Sequence, residues 1–82
     1  MSTADEEILG RINELAAEEH ELFELESRGE AGPSDRDRLE KLEVTLDQCW
    51  DLLHQRRARR RAGLDPDQAE VRDAATVEGY IN

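Results

Sequence analysis

The sequence predicts an all-α chain built on a two-helix antiparallel coiled-coil hairpin. Three observations carry that reading. Leu39, Leu42, Leu46, Cys49 and Leu53 occupy consecutive a and d positions without a break. Gly29-Glu-Ala-Gly-Pro33 interrupts the helical pattern with turn chemistry. Folding the chain about residue 31 then sets Leu39 opposite Phe23, Leu46 opposite Ala16 and Leu53 opposite Leu9, and the same register brings Arg56 and Arg57 to Asp5 and Glu6.

The first helix is expected over about 5–28. Ile8, Ile12, Leu15, Glu19 and Leu22 follow alternating four- and three-residue steps, with Leu9, Ala16 and Phe23 beside them. Ser2 or Thr3 suits the cap, and Asp5, Glu6 and Glu7 suit the positive end of the helix dipole. Gly10 weakens the interior by about 1 kcal/mol relative to Ala.

The second helix is expected over about 35–62, with Ser34 as N-cap and Asp37 completing a near capping box. Gly63 is placed to end it, with Leu64 making the accompanying apolar contact. Residues 1–63 thus form the hairpin. In 64–82, Asp65-Pro66-Asp67-Gln68 starts a short helical turn reaching to about Arg72, and a partly ordered tail follows, with an apolar cluster at Val77, Tyr80 and Ile81.

A chain of 82 residues is near the lower limit for an independent core. One stripe on each of two helices buries little, and Val44, Trp50, Leu52 and Leu25 miss the seam. Two remedies follow. The tail can fold back so that Tyr80 or Val77 covers Trp50, or two hairpins can pack as a four-helix bundle. A homodimer is the expected state.

The sequence is strongly acidic, with a formal net charge of -10, yet Arg56, Arg57, Arg59, Arg60 and Arg61 cluster at one helix end. Residues 49–63 hold one acid and five bases, between acidic flanks on both sides. Those flanks oppose a phosphate backbone, so nucleic acid is not the expected partner. Cations at a helix C-terminus complement its dipole and pair with the acids of the first helix, which gives the run a structural reading. The N-terminus lacks the basic and apolar regions of a signal peptide, and no segment has the length of a membrane span. A cytoplasmic protein without membrane contact is expected.

No cofactor, metal or catalytic residue is expected. His20 lies among glutamates outside the seam, and Asp51-Leu-Leu-His54 lacks the second such motif that a di-iron bundle requires. Cys49 at a d position reads as a small buried hydrophobe, with acidic neighbours Asp47 and Asp51. Small all-helical chorismate mutases share the length and the acidic first helix, but their inward cations are not matched by Arg11 and Arg28 alone. A second alternative is a nucleic-acid- or RNA-polymerase-associated regulator, using the arginine-rich helix end or the acidic tip of Glu26, Glu30, Asp35 and Asp37.

The run Leu46-Asp-Gln-Cys-Trp-Asp-Leu-Leu-His-Gln-Arg-Arg-Ala-Arg-Arg-Arg-Ala-Gly63 resembles a family of short actinobacterial proteins classed as a domain of unknown function. Glu7-Ile-Leu-Gly-Arg-Ile-Asn-Glu-Leu15 resembles its opening and Val77-Glu-Gly-Tyr80 its ending. His54 departs from the pattern, where Arg is expected. The resemblance implies a cytoplasmic helical hairpin and brings no catalytic residues.

The combined expectation is a non-enzymatic module acting by protein–protein contact, self-associating or docking another protein. Its contact surface is expected at Trp50, Leu52, Arg56, Arg57, Val77, Tyr80 and Ile81, an aromatic bordered by arginines.

Overall fold

The computed structural model describes residues 3–81, with side chains for 4–79. Two long helices, α1 (Thr3–Ser27) and α2 (Pro33–Arg61), are followed by a 3₁₀ turn (Pro66–Gln68) and a short helix, α3 (Ala74–Ile81). Among the described residues there is no strand. Of the two expected caps of α1, Ser2 lies outside the described residues and Thr3 is already helical.

Glycine ends both long helices by the same device. Gly29 adopts φ 71°, its N–H donates to the Glu26 carbonyl at 3.0 Å, and Glu30 N–H donates to the Leu25 carbonyl at 2.9 Å. Gly63 repeats this at φ 75°, with Gly63 N–H on Arg60 O and Leu64 N–H on Arg59 O. These bonds satisfy carbonyls that a helix end otherwise leaves open. Leu64, expected to make the accompanying apolar contact, is 53% exposed.

The start of α2 corrects the sequence reading. Gly32 is the cap, Pro33 opens the first turn, and Asp35 reaches back to accept from Gly32 N–H at 2.9 Å. The expected pair of Ser34 and Asp37 is displaced because Pro33 already has the φ of a first helical residue. Ser34 therefore lies within the first turn.

α1 and α2 pack antiparallel. Ile12, Leu15 and Leu22 from α1 meet Leu39, Leu42, Leu46 and Leu53 from α2, with Ile8, Leu9, Leu25 and Cys49 packed against that core. The expected pairing of Leu39 with Phe23 and of Leu46 with Ala16 is not what the seam uses. Leu22 is buried, while Phe23 is 43% exposed and Ala16 is exposed. One residue rotates the helix by 100°, so a seam drawn on Leu22 carries Phe23 out of it.

The largest departure is in the C-terminal segment, expected as a short helical turn with a partly ordered tail that can fold back over Trp50. The segment does fold back, but Trp50 stays 40% exposed. The 3₁₀ turn is only three residues long, and α3 follows where a tail was expected. Asp73 caps α3, its carboxylate accepting from Thr76 N–H at 2.7 Å. Hydrogen bonds from the Thr76 side chain and, next, from its backbone N–H hold the Asp73 carboxyl below the usual carboxylate range. The segment runs back along α2: Gln55 donates to the Glu70 carbonyl at 2.8 Å, Gln48 donates to the Arg72 carbonyl at 3.2 Å, and Arg72 lies 3.5 Å from Asp51. Val77 is buried as α3 packs on α2.

α2 therefore lies between α1 and the returning C-terminal segment in a single layer. The Cα envelope measures 49 × 26 × 14 Å and the radius of gyration is 15.0 Å. A compact domain of this length has a radius of about 12 Å. Among the described residues no helix is long and apolar enough to cross a membrane.

Candidate interaction surface

The arginine-rich end of α2 is largely committed within the chain. Arg56 projects toward α1, where its Nε donates to Asp5 Oδ1 at 2.6 Å. Arg60, one turn on, engages both oxygens of the same carboxylate. Asp5 is fully buried and Arg56 is 5% exposed, so the pair is withdrawn from water. Arg56 Nη1 also donates to the Pro66 carbonyl at 3.1 Å and to Asp67 Oδ1 at 3.0 Å. Hydrogen bonds to Asp5 and Asp67 hold the Arg56 guanidinium further above its ordinary pKa. Arg59 donates to the Asp65 carbonyl at 2.7 Å. Together these side chains tie the start of α1, the end of α2 and the 3₁₀ turn into one knot.

Two cations of the run remain outside that knot. Arg57, half-buried, and Arg61, exposed, have no ion-pair partner among the described residues. They share a helix face with Trp50 and His54, since positions 50, 54, 57 and 61 repeat at four, three and four residues. Trp50 is 40% exposed, and its ring lies 6.1 Å from that of His54. The neighbouring face of α1 carries Leu9, Ala16 and Phe23 at seven-residue steps.

The opposite face of the layer holds a shallow groove of about 510 Å³ between α1 and the returning segment, lined in part by Ile8, Arg11, Cys49, Leu52 and Val71. Burial pushes the Cys49 thiol up, the reverse of what a nucleophilic thiolate needs. Elsewhere His20 is exposed and pairs with Glu24 at 3.0 Å. Among the described residues, no group of three His, Cys, Asp or Glu side chains is arranged to hold a metal ion.

Residues 4–82 match the family described as "Protein of unknown function (DUF2630)". The chain belongs to that family. Its relatives include Uncharacterized protein Rv0898c of Mycobacterium tuberculosis (strain H37Rv) and Uncharacterized protein Mb0922c of Mycobacterium bovis. Each is 48% identical over 77 residues, covering 93% of this chain and 88% of the relative. No solved structure matches the chain significantly.

For this member of the family, the residues expected to form one contact surface are divided by the fold. Arg56 is withdrawn into the ionic knot and Val77 into the α2–α3 contact, so neither is available on the surface. Leu52 lines the groove, whereas Trp50 does not. Two residues along a helix is a 200° rotation, and that sends them to opposite faces of the layer. The side chains of Tyr80 and Ile81 lie outside the described residues. Trp50 and Arg57 remain together, joined by His54, Arg61 and the Phe23 stripe that the sequence reading had assigned to the seam. Phe23 carried a signal that could have shown this: it lies one residue beyond Leu22, outside the four- and three-residue spacing of Ile8, Ile12, Leu15 and Leu22.

Proposed function

We propose that this protein is a non-enzymatic interaction module that works by presenting the Trp50 face to another protein surface. The observation that carries this reading is the co-location of a 40% exposed tryptophan with Arg57 and Arg61, cations without an ion-pair partner among the described residues. Aromatic and arginine side chains together have the composition of an interface hot spot. Engagement of Arg56, Arg59 and Arg60 within the chain supports a protein partner over a phosphate backbone, because it removes much of the positive field that nucleic acid requires. Action in the cytoplasm and independence from cofactors belong to the same reading.

A photo-crosslinking residue at position 54 tests it in cells of the native host. Protein adducts are expected at position 54, fading when Arg57→Glu is added, with none at Glu21 on the opposite side of α1. Equal labelling at both positions, or adducts to nucleic acid in place of protein, would overturn the reading.

A further inference from the structure

We infer that the partner of this face is a second copy of the chain, docked antiparallel, so that the arginine end of one hairpin lies over the acidic turn end of the other. The inference rests on the interaction reading above and gives it an occupant and an orientation.

Surface area is the first argument. A compact monomer of this mass, 9.4 kDa, exposes about 5,000 Å² by the scaling of folded proteins. This chain exposes 5627 Å². The excess, about 600 Å², goes with the flat 49 × 26 × 14 Å envelope, which leaves room on one face for the roughly 800 Å² that each partner contributes to a standard interface. A single layer of helices leaves its faces uncovered, whereas stable domains close two layers on each other. Packing two such layers face to face produces a four-helix bundle around α1 and α2.

The apolar side chains on the face set the register. Leu9, Ala16 and Phe23 run along α1, spanning about 21 Å at 1.5 Å per residue. Trp50 lies on α2 at the level of Ile12, as the ion pair between Arg56 and Asp5 fixes. A two-fold axis at Ala16 lets the backbones approach over a small side chain. It places Phe23 of each chain against Leu9 and Trp50 of the other. Phe23 and Trp50 are then covered by one symmetric contact, in which each residue meets its counterpart reciprocally.

Charge selects the antiparallel orientation. Residues 18–30, at the turn end of α1, carry six glutamates against one arginine. Stacking turn on turn would set these carboxylates against their own copies. The antiparallel arrangement instead brings Arg57 and Arg61 over the acidic turn end, with Arg57 at the level of Glu26, three residues beyond Phe23. Glu26 has no ion-pair partner among the described residues. Oppositely charged patches of this kind fix orientation and exclude the wrong docking.

Light scattering during size exclusion, at about 50 μM chain and 150 mM salt, tests the inference. The wild type is expected at twice the 9.4 kDa chain mass. Trp50→Ala and Phe23→Ala, each at an exposed position, should weaken association about thirtyfold, with helical content by circular dichroism unchanged. Arg57→Glu should weaken it at least tenfold, and adding Glu26→Arg in the same chain should restore it. Within one hairpin those two residues lie at opposite ends, about 30 Å apart along the helices, so rescue requires contact between chains. Val71→Lys, on the groove face, should leave the dimer intact. A monomeric wild type, association insensitive to Phe23→Ala and Trp50→Ala, failure of the Glu26→Arg rescue, or loss of the dimer in Val71→Lys would each overturn the inference. A monomer that still crosslinks another protein through position 54 rejects self-docking and leaves the broader interaction reading standing.

Discussion

The two ends of the hairpin carry the same chemistry in different surroundings. At the open end Arg56 meets Asp5; toward the turn Arg38 meets Glu18, through two hydrogen bonds of 2.5 and 2.9 Å. Both pairs join α1 to α2 and both are arginine on carboxylate. The side chains of the open-end pair are 7% and 1% exposed, whereas those of the turn-end pair are 50% and 40% exposed. Burial, and not bond length, separates them. In water the second pair competes with solvent and ions at every moment. The first cannot rehydrate when it is broken, and its arginine also holds the 3₁₀ turn. One pair therefore governs assembly of the hairpin with its C-terminal segment, while the other only decorates the register.

Removing Asp5 should produce the largest effect. Asp5→Ala leaves the Arg56 guanidinium buried beside Arg60 without the carboxylate they share, and losing one member of a buried pair costs about 3–5 kcal/mol. Against the 5–15 kcal/mol of a typical domain, that is a large part of the whole. Chemical denaturation should show the loss as a lowered midpoint, and proteolysis should open the 3₁₀ turn early, since Arg56 holds Pro66 and Asp67. A midpoint within error of wild type would make the two ends equivalent and end the comparison.

The core gives a scale against which to read that result. Leu53→Ala empties a fully buried position close to the ionic knot, and deletions of this kind cost about 2–5 kcal/mol. Its denaturation midpoint should fall, while the C-terminal segment unfolds together with the hairpin and not ahead of it. Early, separate release of α3 in Leu53→Ala would mean that the knot, and not the apolar seam, transmits stability between the segments.

The contrast between the ends also explains what the sequence could reveal. Heptad spacing located Leu39, Leu42, Leu46 and Leu53, because a period of three and four residues is a property of the sequence itself. Opposition of Arg56 to Asp5 followed from the same register. Its burial did not, since that depends on the 3₁₀ turn closing over the pair, a contact between residues 56 and 67 that no local pattern announces. α3 was missed for a related reason. Asp73 is a good cap, but eight residues that include a glycine form a helix only when packing supports them, and the packing is tertiary. The candidate surface divided because the chain order of Trp50 and Leu52 conceals a rotation of more than half a turn.

The docking of α3 should respond to pH, with a smaller effect than either deletion. Glu78 shares a hydrogen bond with Asp47 at the α2–α3 contact, is partly desolvated there, and has Glu43 beyond. Its Oε1 is buried without a partner of its own. These surroundings raise the Glu78 carboxyl above the usual range. Docked α3 therefore holds the proton more tightly than undocked α3 does. The resulting stabilisation is complete below the ordinary glutamate value and is lost as pH rises through the raised one. Amide exchange in α3, corrected for intrinsic rates, should slow several-fold as pH falls through that window. Glu78→Gln should remove the dependence; a persistent slope in that variant would assign it to another group.

The smallest effect is expected at the turn end, and it sharpens the comparison best. Hydrogen bonds from Arg38 lower the Glu18 carboxyl below its ordinary value, so what the pair contributes is complete above that value and lost as pH falls through the lowered one. Solvent screening keeps the contribution small even where it is complete. Glu18→Gln and Arg38→Gln, singly and together, should leave the denaturation midpoint nearly unchanged at neutral pH, with little coupling between them. Raising salt to about 1 M should erase what coupling there is, because the Debye length then contracts to roughly 3 Å. The same cycle on Asp5 and Arg60 should keep most of its coupling in that salt, since counter-ions cannot enter a site where the carboxylate is fully buried. Equal salt sensitivity at the two ends would mean that the open end is hydrated in solution, and burial would no longer explain the difference.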